Sequence, residues 1–167
     1  MMGWIAALCL LGATGILAAL AVIDLKTWLL PNVLTLPLAL LAPVFHFATG
    51  FHYVSLEGMA LGGALGFGTL YILRHFANKA YKTDSLGLGD VKLLGAGGLW
   101  LGGEMVMMAM SLGAFASVLH GIAYAVIHAH KTKTPINLRR LKIPAGPGFT
   151  LGIFLVGVWM FRDFRPF

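Results

Sequence analysis

Long uninterrupted apolar runs constrain this chain more than any other feature. A helix that crosses a bilayer needs roughly 20 apolar residues, and several such runs occur, separated by short polar breaks. Reading runs against breaks predicts an all-α, polytopic membrane bundle of about six helices, in a single domain over residues 1–167. The first helix is expected over Gly3–Ile23, the second over Val33–Phe47 with Pro37 and Pro43 inside it, and the third over Leu56–His75. The run Val91–Ile127 far exceeds one bilayer at a rise of about 1.5 Å per residue. The fourth and fifth helices must share it, with the break at Gly102-Gly103-Glu104, where flexibility and a charge coincide. The sixth is expected over Phe149–Phe161.

Composition closes off the alternatives. The chain is 59% hydrophobic and 11% charged, with mean hydropathy +0.86. Soluble domains carry about 25% charged residues, so a soluble core is excluded. The net charge of +6 does not point to nucleic acid, because the basic residues lie between apolar runs and have no polar face to share. The sole cysteine, Cys9, sits inside the first run, which rules out a disulfide framework or a tetracysteine zinc site. His128 and His130 are two residues apart with no acid beside them, and neither metal nor cofactor is expected. Ala19-Leu20-Ala21 resembles a leader cleavage site, yet no basic residue precedes the first run, so it reads as a retained anchor.

Charge placement predicts orientation. Lys26 follows the first helix; Arg74, Lys79 and Lys82 lie between the third and fourth; Lys131, Lys133, Arg139, Arg140 and Lys142 lie between the fifth and sixth. The loops on the opposite side carry no lysine or arginine before Arg162 and Arg165. Positive residues favour the cytoplasmic side, which places the N-terminus outside. Asp24, closing the first helix, and Asp90, opening the fourth, then both reach the cytoplasmic boundary.

Among six acids, Glu57 and Glu104 sit at outer helix ends, and Asp84 and Asp163 in polar segments, as solvated punctuation. Asp24 and Asp90 differ because each abuts a long apolar helix. An acid there usually faces a bundle interior or a watery cavity, although capping a helix or offsetting a lysine is the plainer alternative. Two carboxyls facing one water share a proton; the ionised member activates the water while the other polarises a carbonyl. Each acid lies in an Asp-x-Lys tripeptide with Lys26 or Lys92, and residues two apart on a helix point away from each other. The lysines are therefore expected to reach for the interface. Gly87-Leu88-Gly89 before Asp90 permits close backbone approach, and the Lys-Ser/Thr ending of a phosphate loop is missing. Pro31-Asn32 reads as a turn with Asn32 capping the second helix, substrate contact being the functional alternative.

These residues resemble a family. Asp24-Leu25-Lys26-Thr27-Trp28-Leu29-Leu30-Pro31-Asn32 is similar to the first-aspartate segment of type IV prepilin peptidases, and Gly87-Leu88-Gly89-Asp90-Val91-Lys92 to their Gly-x-Gly-Asp segment. Ile143-Pro144-Ala145-Gly146-Pro147 resembles the proline-glycine-proline segment opening their last helix. The resemblance implies a multi-pass protein of the bacterial inner membrane. It implies catalysis by Asp24 and Asp90 without metal or cofactor, and cleavage of a short basic leader from prepilins or pseudopilins at the cytoplasmic face. Gly87, Gly89, Lys92, Pro31, Asn32, Pro144, Gly146 and Pro147 follow as supporting or substrate-binding positions. Longer members carry a cysteine-rich insertion and also N-methylate the product; the missing cysteine cluster implies a peptidase alone. Small residues at Ala145 and Gly146-Pro147-Gly148, where bulkier ones are common, are expected to loosen a substrate groove.

Two readings from other classes remain: a small ion- or proton-coupled transporter using the same aspartates, and a catalytically idle partner of a pilus machine. Transporters usually need a polar path to the far side, whereas both acids cluster at one face. Small-residue stripes at Gly58, Gly62 and Gly66, and at Gly113, Ser117 and Gly121, predict close helix packing inside the bundle. Trp4, Trp28, Trp100 and Trp159 read as interface anchors.

Overall fold

The computed structural model describes residues 2–81, 86–132 and 144–165. Five helices follow one another: α1 (Met2–Thr27), α2 (Asn32–Ala48), α3 (Leu56–Tyr81), α4 (Leu88–Thr132) and α5 (Gly146–Met160). No strand occurs among the described residues. Three stretches, Met2–Thr27, Leu56–Ala80 and Leu88–Ile127, are long and apolar enough to cross a membrane, and α2 and α5 are shorter apolar helices. Lys82, Asp84, Lys133, Arg139, Arg140, Lys142 and Ile143 lie outside the described residues, as does the side chain of His128.

The sequence predicts about six helices, and five are seen because α4 takes in both segments assigned to the run 91–127. At the expected break, Gly102 leaves helical geometry with φ 75° and ψ −179°, a combination essentially confined to glycine. The chain folds back there. A straight helix would hold Leu94 and Val106 about 18 Å apart, yet both flank Gly66 of α3. Likewise Gly97 meets Ile153 while Ala109 meets the neighbouring Gly152 of α5. α4 is thus two antiparallel arms, 88–101 and 103–132, packed between α3 and α5.

Small residues make this packing possible. A Cβ at Gly62 would lie 2.6 Å from the Gly102 carbonyl carbon and run into the Gly98 carbonyl oxygen. Gly113 and Ser117 meet Gly148 of α5 in the same way, backbone against backbone. Gly62, Gly66, Gly113 and Ser117 of the expected stripes therefore pack inside the bundle, while Gly58 is set against the preceding Val54. α1 completes the bundle against α2 and α5, and α2 lies on α4.

The end remote from Asp24 is held by an aromatic cluster around Phe45, with Trp100, Phe161 and Tyr53 within about 6 Å between ring centres. Trp100 is a core residue here, 4% exposed, donating its indole N–H to the Leu38 carbonyl at 2.8 Å. Its place next to the Gly102 turn seals it between α2 and α5. That corrects the expectation of an interface anchor, whereas Trp4, Trp28 and Trp159 stay about half exposed. Buried His46 donates from Nε2 to the Trp100 carbonyl at 3.1 Å, tying α2 to the first arm of α4.

Gly62→Ala forces α3 off α4. Overpacking of this kind costs about 1–3 kcal/mol, so the variant should melt at lower temperature in detergent micelles. Gly68→Ala, which meets nothing within 4 Å, should melt at or slightly above wild type, since alanine favours a helix by about 1 kcal/mol over glycine.

Candidate active site

Asp24 lies in the last turn of α1 and Asp90 in the first turn of α4, and both are buried, 4% and 7% exposed. The two lie near enough for the Asp24 charge to bear on Asp90, so the chain brings into one region two acids separated by the whole of α2 and α3. Each carboxyl is held by a backbone amide at a helix N-terminus. Asp90 reaches back to Gly87, three residues earlier, in the manner of an acid closing a capping box. Asp24 Oδ2 accepts the Gly146 N–H at 3.1 Å. The first amides of a helix have no partner of their own, and α5 has no side-chain cap from Ala145. Asp24 supplies that cap from another helix. Asp90 Oδ1 is buried without a hydrogen-bond partner among the described residues, and so it is the oxygen left to meet something else.

Two further contacts join the motif segments. Leu30 packs on Gly89, where an added Cβ would come 2.8 Å from the Leu30 Cβ. Lys92 Nζ donates to Asn32 Oδ1 at 3.0 Å. Lys92 therefore faces away from Asp90, as its spacing requires, and borders a groove of about 430 Å³ with Asn32, Phe67 and Leu99. The expected capping role of Asn32 is corrected: Pro31 is the cap residue, with no side-chain cap bond. Asn32 is already inside the helix, and its side-chain oxygen is engaged by Lys92 instead.

The turn that lets these contacts form is strained. Trp28 sits at φ 59°, a region that bulky residues rarely enter, and its N–H closes α1 on the Asp24 carbonyl at 2.9 Å. The chain then runs through Leu29 and Leu30 to Pro31, extended at ψ 135°.

At the other side of Asp24, Pro144 precedes the Ala145–Gly146 peptide and Pro147 follows it in the first turn of α5, where a ring-fixed φ suits the helix start. Gly146 is required by proximity, since a Cβ there would fall 2.8 Å from the Asp24 Cγ. Gly148 is required as well, because a side chain would strike Ser117. These small residues tighten the contact with Asp24 and α4, correcting the expectation that they loosen a groove. Pro31 and Pro144 shape the backbone and touch neither carboxyl in any described contact. Leu30 lies within the first-aspartate segment without a role of its own in the sequence, and Ser117 is visible there only as one member of a packing stripe.

The arrangement offers two interacting carboxyls, one with an unpaired oxygen, at the mouth of an apolar bundle. No group of three or more histidine, cysteine or acidic side chains placed to hold a metal occurs among the described residues. Cysteines introduced at Leu30→Cys and Gly89→Cys, in a Cys9→Ala background, should form a disulfide under mild oxidation, read as protection from a mass-tagged maleimide. Leu29→Cys with Gly89→Cys should stay open.

Comparison with known proteins identifies the family. The family model described as the type IV leader peptidase family matches residues 11–126, which include both aspartates. Three relatives carry the name prepilin leader peptidase/N-methyltransferase. That of Aeromonas hydrophila is 33% identical over 94% of this chain and 51% of its own length. That of Dickeya chrysanthemi is 34% identical over 93% of this chain and 55% of its own. The one from Escherichia coli (strain K12) is 35% identical over 80% of this chain and 55% of its own. The chain spans about half the length of the curated relatives it matches. No solved structure matches it.

Proposed function

The chain belongs to the type IV leader peptidase family, and we propose that it is an aspartic endopeptidase removing the leader from type IV prepilins or pseudopilins. The proposal places Asp24 and Asp90 as the catalytic pair at the cytoplasmic face of a bacterial inner membrane, with the N-terminus outside. The observation that carries it is the placing of two buried carboxyls in one region, each held by a helix-terminal amide, with the Asp24 charge bearing on Asp90, on a chain whose relatives are named prepilin leader peptidase/N-methyltransferase. The sequence positions of the lysines and arginines, concentrated in the segments that follow the first, third and fifth expected helices, support the orientation.

In this reading the pair holds one proton between two carboxyls. Asp24, anchored on the Gly146 N–H, takes a proton from water as that water attacks the scissile carbonyl. Asp90, carrying the shared proton on its otherwise unpaired Oδ1, donates it toward the carbonyl oxygen and polarises the bond, taking it back as the carbonyl re-forms. The amine then leaves with a proton from the pair, and the starting protonation is restored. Gly87 leaves room for the Asp90 carboxyl and Gly89 lets Leu30 pack close beside it, while the Lys92–Asn32 bond fixes the neighbouring groove. Only the peptidase activity is proposed.

Cleavage of a candidate prepilin in membranes tests this. Asp24→Asn and Asp90→Asn should each abolish leader removal while the protein still inserts and accumulates. Normal processing by both variants would remove the assignment. A proton flux lost in the same variants, with no cleavage by wild type, would identify the transporter instead.

A further inference from the structure

Ser117 lies on the returning arm of α4, far in sequence from every motif, and its hydroxyl is 3.0 Å from the Ala145 carbonyl oxygen. That carbonyl and the Gly146 N–H belong to one peptide group. The N–H donates to Asp24 Oδ2 at 3.1 Å, so a single planar unit carries a hydrogen bond in on one side and out on the other. Polarising the carbonyl of an amide strengthens its N–H as a donor, the cooperative effect of chained hydrogen bonds. We infer that Ser117 is a positioning residue for Asp24, acting through the Ala145–Gly146 peptide.

The surroundings support a positioning role over incidental packing. A hydroxyl this short reaches another helix only where the backbones nearly touch, and Gly113 and Gly148 supply that closeness. The hydroxyl proton is shared with the Gly113 carbonyl of its own helix at 2.9 Å, the ordinary resting place of a serine inside a helix. The Ala145 carbonyl also accepts the Gly148 and Phe149 amides, each at 3.1 Å, which squares the peptide to the axis of α5. Ser111, on the same arm, makes among the described residues only the within-helix bond, to Met107 at 2.9 Å. It is the natural control.

The positioning role rests on the peptidase reading, whereas the hydrogen-bond chain does not, and two measurements separate them. Only Ala96-Gly97 and Ala145-Gly146 join alanine to glycine in this sequence. Labelling alanine carbonyls with carbon-13 and glycine nitrogens with nitrogen-15 therefore selects the amides of Gly97 and Gly146 in micelles. Ser117→Ala and Asp24→Asn should each move the Gly146 resonance and leave Gly97 in place, while Ser111→Ala moves neither. In the prepilin cleavage assay, Ser117→Ala should lower kcat about three- to tenfold, the worth of one indirect hydrogen bond, with KM unchanged. An unmoved Gly146 resonance in Ser117→Ala overturns the chain of bonds. A moved resonance with unchanged kcat, or a loss carried by KM, overturns the positioning role. Absence of cleavage by wild type removes the reaction that Ser117 is inferred to serve, and the resonances still judge the hydrogen bonds.

Discussion

An acid buried among apolar helices must be given a partner by the protein itself, because the hydrocarbon around it offers none. Here the partners are amides that helices leave unpaired at their own beginnings. Asp90 turns back on the start of α4, and Asp24 takes the opening amide of α5. Both arrangements relieve two deficits at once, an orphan donor and a buried carboxyl, and both point the positive ends of helix dipoles at the pair. Much of the local sequence follows from this. Gly87 and Gly146 are small because a carboxyl lies where their side chains would be.

Keeping those helix ends in register depends on backbone contact further in. α3, the two arms of α4 and α5 approach through Gly62, Gly66, Gly98, Gly113, Gly148 and Gly152. Dispersion between closely packed backbones, rather than exclusion of water, holds helices together in lipid. The fold-back at Gly102 lets one element serve both sides of the site: its first arm carries Asp90, and its second supports the peptide that orients Asp24. At the remote end, Phe45, His46 and Trp100 fix α2 to the same arm.

The sequence made the membrane class, both aspartates and the break at Gly102 legible, because each rests on a local rule: run length, charge beside an apolar run, and flexibility beside a charge. What it left open is geometric. Nothing in the order of residues says that α4 reverses so tightly that Leu94 and Val106 flank one glycine, or that Trp100 turns inward beside that reversal. Asn32 departs from its capping propensity because that propensity is a local preference, and here a lysine from another helix engages its side chain. Ser117 shows the same limit from the other direction. Its spacing with Gly113 reveals a packing stripe, but a hydrogen bond to a residue 28 positions away has no trace in a periodicity.

The bond between Asp24 and Gly146 spans 122 positions of the chain. During synthesis, then, the first acid enters the bilayer long before the amide that will hold it has been made. Contacts so distant in sequence form late, and this one waits for α5 to dock against both α1 and the doubled α4. The surroundings of Asp24 are thus completed only when α5 has docked, so a half-inserted chain carries a buried acid that still lacks the amide meant to hold it.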